Sequence, residues 1–219
     1  RVLTAGQSHG ARVQLEMGGK NPLVVLDDAD LDAAVSGALE GAFGSTGQRC
    51  TASSRLIVAD AIHDEFVSRL SAAMQEIRVG HALGADTVMG PVVDETQLTQ
   101  DLRYVEIARK EGATVIGGGL VEAPTRGHFM APALAVGTDN ADTINREEVF
   151  GPLASVVRVA DRDQAIAVAN DTEFGLTSGI YTGSLAASTR FRRESKAGMV
   201  MVNLPTAGVD GNVPFGGRG

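Results

Sequence analysis

Cysteine and tryptophan are almost missing from this sequence, which contains one cysteine, at position 50, and no tryptophan. A single cysteine excludes a disulfide within the chain, and the four scattered histidines form no pattern of metal ligands. Aromatic residues make up only 4% of the chain, which is too few for a surface that stacks nucleic-acid bases. We therefore expect no disulfide scaffold, no metal site and no nucleic-acid platform.

Long hydrophobic runs are also missing. No run approaches the roughly eighteen apolar residues that a membrane-spanning helix requires. The formal net charge of −8 disfavours binding to nucleic acid or to an anionic membrane surface. The first ten residues are mixed and polar and do not resemble a signal peptide. We expect a cytoplasmic protein whose partner is a small molecule.

What the chain does contain is an alternation of two patterns. Short runs typical of strands occur at 23–26, 55–59, 113–116, 155–159, 178–181 and 199–203, and a short alternating stretch at 12–15 also predicts a strand or the end of one. Stretches with helical spacing of apolar residues occur at about 31–44, 62–77, 96–111, 163–170 and 186–194. This alternation predicts an α/β fold, with an open, largely parallel sheet that carries helices on both faces.

Two further segments have local signals. Residues 129–136 look extended, and Pro132 should confine them to an edge strand or a bend. Three consecutive glycines at 117–119 could cradle a phosphate, but no helix follows them. We interpret the glycines as part of a flexible surface hairpin.

The lone cysteine lies in a polar turn, FGSTGQRCTASS, at 43–54. A buried structural cysteine usually lies in an apolar run, whereas small and polar residues surround Cys50. The adjacent Arg49 and the free N–H groups of a glycine-rich turn both favour the reactive thiolate. Cys50 is therefore a candidate nucleophile, although a buried thiol without a chemical role remains an alternative on these local grounds.

Two motifs then identify a family. GQRCT resembles the cysteine signature of the aldehyde dehydrogenase superfamily, and LEMGGKNP at 15–22 is similar to its glutamate signature, in which serine or asparagine precedes the proline. The interval of 34 positions (50 − 16) also matches the family. EVFGP at 148–152, Asn203 and PFGG at 214–217 extend the resemblance over nearly the whole chain.

The resemblance implies an NAD- or NADP-dependent oxidation of an aldehyde to a carboxylic acid. Cys50 would form a thiohemiacetal and then a thioester, and Glu16 would activate the water that hydrolyses the thioester. Glu148 would bind the ribose hydroxyls of the coenzyme, Phe150 would lie near its nicotinamide ring, and Gly18 would let the backbone approach it closely.

The aldehyde pocket is expected from residues that flank the cysteine and from the loop before PFGG, namely Arg49, Thr51, Thr206 and Phe215. NLPTAGVD followed by VPFGGR resembles the branch of the family that acts on α-ketoglutaric semialdehyde (2,5-dioxopentanoate). Gly211 and Asn212 stand where that branch usually has an aromatic residue and a histidine. A carboxylate on the substrate could pair with Arg49 or Arg55, although Arg55 could equally be structural.

The resemblance also implies a division of the chain. Residues 1–22 would end a coenzyme-domain connection that carries the glutamate motif, and residues 23–219 would form the catalytic domain. The family's upstream coenzyme-binding domain and the final strand that joins subunits do not appear in the sequence. We therefore expect the catalytic part of a longer, homo-oligomeric enzyme, without dehydrogenase activity of its own.

Two other functions remain open on the sequence. A cysteine esterase or acyl-transferase could use the same thiol without coenzyme, but such enzymes normally need a histidine base, and no histidine lies in a recognisable motif. A non-catalytic assembly fragment is the second, and the presence of both Cys50 and Glu16 argues against it.

Overall fold

The computed structural model describes residues 2–123, 125–208 and 210–218. Its seven strands form one sheet and are β1 (Asn21–Val25), β2 (Ser53–Ala59), β3 (Thr114–Gly117), β4 (Ala133–Val136), β5 (Leu153–Val159), β6 (Thr177–Tyr181) and β7 (Met199–Val202). Its helices are α1 (Val2–Ser8), α2 (Leu31–Phe43), α3 (Asp60–Gln75), α4 (Glu95–Lys110), α5 (Thr143–Arg146), α6 (Arg162–Asn170) and α7 (Leu185–Glu194). Within these described residues, no helix is long and apolar enough to cross a bilayer.

The sheet has the strand order β3-β4-β5-β2-β1-β6-β7. All neighbouring strands run parallel except β3, which pairs antiparallel with β4. The predicted fold class, an open and largely parallel sheet with helices, is therefore confirmed. The three glycines at 117–119 lie at the end of β3 in the hairpin that joins β3 to β4, where Gly118 and Gly119 still pair with Pro132 and Ala131, and Gly117 and Gly118 adopt φ values of 77° and 79°. They belong to this hairpin connection, as predicted.

Helices cover both faces of the sheet. Side chains of α2 and α3 pack on one face, around Leu23, Leu56 and Val156. Side chains of α6 and α7 pack on the other face, against Ile57 and Ile180. The strands are nearly continuous apolar runs because a parallel sheet is buried on both of its faces.

Two local predictions were wrong. Residues 12–15 form no strand and are largely exposed, because an alternating pattern makes a strand only where a neighbouring strand can pair with it. The edge position suggested by Pro132 was the second, since β4 lies inside the sheet between β3 and β5. Proline is tolerated there because it stands just before the first paired residue and removes no hydrogen bond from the ladder.

Candidate active site

The amino ends of the parallel strands carry the residues that the motifs single out. Cys50 precedes β2, Gly18 and Gly19 precede β1, and Glu148 precedes β5. Ligands of open α/β sheets usually bind at the carboxyl ends of the strands, so this site lies at the opposite ends of the strands. It is built from connections that lead into strands.

The chain reverses its handedness between α2 and Cys50. Ser45, Thr46 and Gly47 all adopt left-handed backbone conformations, with φ of 53°, 61° and 66°. Such a conformation costs a β-branched residue such as Thr46 on the order of 1–2 kcal/mol. The missing side chain of Gly47 lets the Gly151 carbonyl pack against its Cα. Backbone strain is therefore concentrated immediately before the cysteine, as it often is at functional sites.

We call residues 49–52 the cysteine turn. It is closed by a hydrogen bond of 3.0 Å from the Ala52 N–H to the Arg49 carbonyl. The Asn21 amide donates to the carbonyls of Cys50 (2.8 Å) and Ala52 (2.9 Å). Cys50 is half-buried, and its thiol is free. The turn thus presents a fixed backbone and an uncombined cysteine.

The Gly18–Gly19 segment connects the cysteine turn to Glu148. A side chain on Gly19 would lie 2.5 Å from the Cys50 carbonyl, and one on Gly18 would overlap the Glu148 carboxylate. The Gly19 N–H donates to Glu148 Oε1 at 2.9 Å. Both glycines are required because two other segments contact their backbone directly. Three motifs that are far apart in the sequence therefore meet here.

Helix α4 holds the loop that carries Glu148 and Phe150. Gln97 and Gln100 both donate to the Val149 carbonyl, at 3.1 and 2.9 Å. Phe150 has φ of 59°, uncommon for a residue other than glycine, and its side chain is 38% exposed. The loop is thus fixed from behind and presents an aromatic ring to the outside.

Asp101, also on α4, is a fully buried acid beside this loop. Its carboxylate packs against Gly151, where a Cβ would collide with it, and Oδ1 accepts from the Gln97 amide at 2.8 Å. Oδ2 has no hydrogen-bond partner within the described residues. Burial raises the pKa of Asp101 to about 7. The motifs gave no signal for this residue, which reads as one polar position of an amphipathic helix.

Two buried cations lie under the site. Arg55 has no exposed surface and donates to the Lys20 carbonyl, the Asn140 side chain and the carbonyls of Val168 and Ala169. Its guanidinium is therefore structural, as the alternative interpretation of the sequence held. Burial and then the charge of Arg55 lower the pKa of Lys20 to about 7.

The side chains of Arg49 and Thr206 form hydrogen bonds within the protein. The Arg49 guanidinium donates at 2.8 Å to the Glu40 carbonyl in the last turn of α2, which also accepts from the Gly44 N–H. Thr206 has no exposed surface, and its hydroxyl donates to the Thr51 carbonyl and pairs with the Ser53 hydroxyl, each at 2.7 Å. Thr51 itself is buried. All three residues therefore serve contacts within the protein: Arg49 and Thr51 belong to the cysteine turn, and Thr206 is hydrogen-bonded to it.

Glu16 and Phe215 lie on exposed segments. Glu16 accepts a hydrogen bond of 2.5 Å from Gln14, and no hydrogen bond joins it to Cys50 within the described residues. Phe215 is 42% exposed. Glu16 and Gly19 are three residues apart, which an extended chain spans in about 10 Å. Gly19 in turn contacts the Cys50 carbonyl. The structure thus brings Cys50, Gly18 and Glu148 together and leaves Glu16 and Phe215 at the surface.

A cavity of about 20 Å³ lies between the cysteine turn and the loop of Glu148. Its lining includes Gly19, Arg49, Ser54 and Glu148. This volume corresponds to a single water molecule, so the cavity is too small for an aldehyde. No histidine side chain is hydrogen-bonded to the cysteine turn in the part of the chain that the structure describes. A cysteine–histidine pair of the hydrolase type is therefore not formed there.

Comparisons with known proteins agree with the motifs. The sequence model of the aldehyde dehydrogenase family matches residues 1–219. An α-ketoglutaric semialdehyde dehydrogenase of Bacillus subtilis is 41% identical over 216 residues, which are 97% of this chain and 44% of that protein. An α-ketoglutarate semialdehyde dehydrogenase of Haloferax volcanii is 44% identical over 211 residues, 95% of this chain and 43% of that protein. The chain thus spans less than half the length of these relatives.

Solved structures share the fold. A putative aldehyde dehydrogenase from Burkholderia cenocepacia superposes with a TM-score of 0.95 at 39% identity, covering 100% of this chain and 45% of that one. Betaine aldehyde dehydrogenase from Staphylococcus aureus, solved in complex with NAD+, gives a TM-score of 0.92 at 33% identity, with coverages of 99% and 44%.

Proposed function

This chain belongs to the aldehyde dehydrogenase family, and we propose from that premise that it is the catalytic part of an NAD(P)-dependent aldehyde dehydrogenase. The observation that carries the proposal is the Gly18–Gly19 segment, which contacts both the cysteine turn and the Glu148 carboxylate. It joins a candidate nucleophile to a candidate coenzyme ligand through one backbone segment.

Cys50 performs the covalent step. Its thiolate adds to the aldehyde carbon, a C–S bond forms, and the electron pair of the C=O π bond moves to oxygen. The N–H of Cys50 donates to no acceptor among the described residues and is free to stabilise this oxyanion. Loss of hydride from the tetrahedral carbon regenerates C=O and leaves a thioester on Cys50.

Glu148 and Phe150 fit the nicotinamide half of the coenzyme. One carboxylate oxygen of Glu148 is fixed by the Gly19 N–H, and the other lies in the space that a Gly18 side chain would fill. A carboxylate held in this way accepts from two vicinal ribose hydroxyls. When bound, NAD(P)+ supplies the acceptor for the hydride.

Hydrolysis of the thioester completes the reaction, and we assign Glu16 as its general base. Glu16 takes a proton from water, the oxygen attacks the thioester carbon, and the C–S bond breaks to return the thiolate and release the acid. The exposed position of Glu16 gives it access to water. Its link to Cys50 through Gly18 and Gly19 supports the assignment.

For the substrate we propose a semialdehyde acid, with α-ketoglutaric semialdehyde first. Three relatives at 40–44% identity have names that specify this substrate or its synonym, 2,5-dioxopentanoate. Other relatives at 38–40% identity are named for betaine aldehyde. The Arg55 guanidinium is buried and donates to four protein groups, so it is not available to the substrate carboxylate, whereas Arg49 makes one side-chain hydrogen bond among the described residues, to the Glu40 carbonyl.

Cys50→Ala in the full-length enzyme tests the proposal. We expect it to abolish NAD(P)H formation from α-ketoglutaric semialdehyde while NAD+ still binds, because the thiol and not the coenzyme site is removed. Turnover that survives this substitution would refute the proposal. Ester cleavage without coenzyme by the wild type, together with no NAD(P)H formation, would favour the esterase instead.

A further inference from the structure

The carbonyls of the cysteine turn all accept hydrogen bonds from the protein. The carbonyls of Cys50 and Ala52 accept from the Asn21 amide, and the carbonyl of Thr51 accepts from the Thr206 hydroxyl. The fourth carbonyl of the turn, that of Arg49, accepts from the Ala52 N–H. Every carbonyl of the turn is therefore held, and three of the four are held by side chains from distant segments.

Asn21 is itself fixed. It is 2% exposed, at the start of β1, between β2 and β6. Its Oδ1 accepts from the Thr177 N–H at 3.3 Å, so its NH₂ group must face the cysteine turn. Rotating the amide by half a turn would place oxygen against two carbonyls and leave the Thr177 N–H without an acceptor. One orientation of the side chain is therefore enforced.

The N–H groups of the turn point elsewhere. In a trans peptide the C=O and the N–H lie on opposite sides of the unit, so a Cys50 carbonyl held toward Asn21 directs the Thr51 N–H away from it. The N–H groups of Cys50 and Thr51 have no acceptor within the described residues. The position of the carbonyls thus fixes the peptide planes and, with them, the direction in which the Cys50 side chain leaves the backbone.

From this geometry we propose that Asn21 is a positioning residue for the Cys50 thiol. It ties the carbonyl side of the cysteine turn to the sheet and so presents the thiol and the free N–H groups on the other side. The inference rests on the proposed role of Cys50 as nucleophile. It gives a chemical reason for an asparagine or a serine at this place in the glutamate motif, since both can donate to a carbonyl.

The test compares Asn21→Ala with Asn21→Ser and with Asn140→Ala in the full-length protein. Asn140 is a matched control, because it is also a buried asparagine whose side chain bonds three groups, at Arg55 and Asp171. The readouts are the thermal midpoint, the pH profile of thiol alkylation by iodoacetamide, and kcat and KM with α-ketoglutaric semialdehyde.

We expect Asn21→Ala to lower kcat by roughly ten- to a hundred-fold with little change in NAD+ affinity, because misplacing a reacting group has effects of that size. Its alkylation rate should change as well. Asn21→Ser keeps a donor and should recover most of the loss. Asn140→Ala should lower the thermal midpoint and leave alkylation as in wild type.

The inference is overturned if Asn21→Ala lowers the thermal midpoint as the control does but keeps wild-type alkylation and kcat. If Asn21→Ala does not fold, Asn21→Asp decides, since it keeps the shape and opposes two carbonyls with a carboxylate. Wild-type alkylation at every pH in that variant would also overturn it. Failure of the proposed function shows separately, as turnover retained in Cys50→Ala.

Discussion

Replacing Asp101 by asparagine should stabilise the protein at alkaline pH and have little effect at acidic pH. Burial raises the pKa of this carboxyl from 3.8 to about 7. Between these values the folded state holds a proton that the unfolded state has released, so the free energy of unfolding falls as pH rises. Above about pH 7 the folded state has released this proton as well, so the free energy of unfolding falls no further. A shift of about three pKa units corresponds to a decrease of about 4 kcal/mol in the free energy of unfolding. Asparagine avoids this decrease because it cannot ionise.

Urea unfolding of wild type and Asp101→Asn at pH 4.5 and pH 8 measures the effect. The window from 4.5 to 7 covers about 2.5 units, so the stability difference should change by about 3 kcal/mol in favour of the variant. Asp27→Asn is the matched control, because it makes the same chemical change at an exposed position. A difference between wild type and Asp101→Asn that is the same at both pH values would refute the reasoning. It would mean that the buried carboxylate is ionised and satisfied at pH 4.5.

Three further substitutions test other contacts. Arg55→Met should cost about 3–5 kcal/mol of unfolding free energy in urea, because four buried acceptors lose their donor, and an unchanged midpoint would contradict this. Gly18→Ala should weaken NAD+ binding at least ten-fold in titration calorimetry while thiol alkylation stays as in wild type, because a Cβ there displaces the Glu148 carboxylate; equal affinity would argue against that carboxylate as a ligand. Gly47→Ala should lower the thermal midpoint, because φ of 66° and the adjacent Gly151 carbonyl both oppose a side chain, and a wild-type midpoint would show that the loop relaxes freely.

The fold was predictable because its signals are local. The helix that begins at Leu31 has its N-cap in Asp30, whose side chain accepts from the Ala33 N–H at 3.1 Å, and its apolar positions repeat at helical spacing. Strands of parallel sheets are short apolar runs that need no long-range information to be recognised. Where the pattern depended on a neighbour, as at 12–15, local alternation was not sufficient.

The candidate site was predictable only in part. Cys50 and Glu148 lie in short motifs, so resemblance singled them out. Asn21 was visible within a motif but had no role, since its acceptors lie 29 and 31 positions away. The Thr206 hydroxyl reaches the Thr51 carbonyl across 155 positions, and no periodicity of the sequence reports such a contact. A side chain that serves the protein interior cannot be distinguished by residue type from one that serves a ligand.

The long separations among the contacts of the cysteine turn have a consequence for how the protein folds. Closing a loop of more than a hundred residues has an entropic cost that only a nearly complete sheet can offset, so such contacts form slowly and late. The Thr206 contact requires β7 and the segment after it to be in place. We therefore expect the sheet and its helices to form before the cysteine turn acquires its final shape. During refolding, native thiol reactivity would appear as one of the last signals.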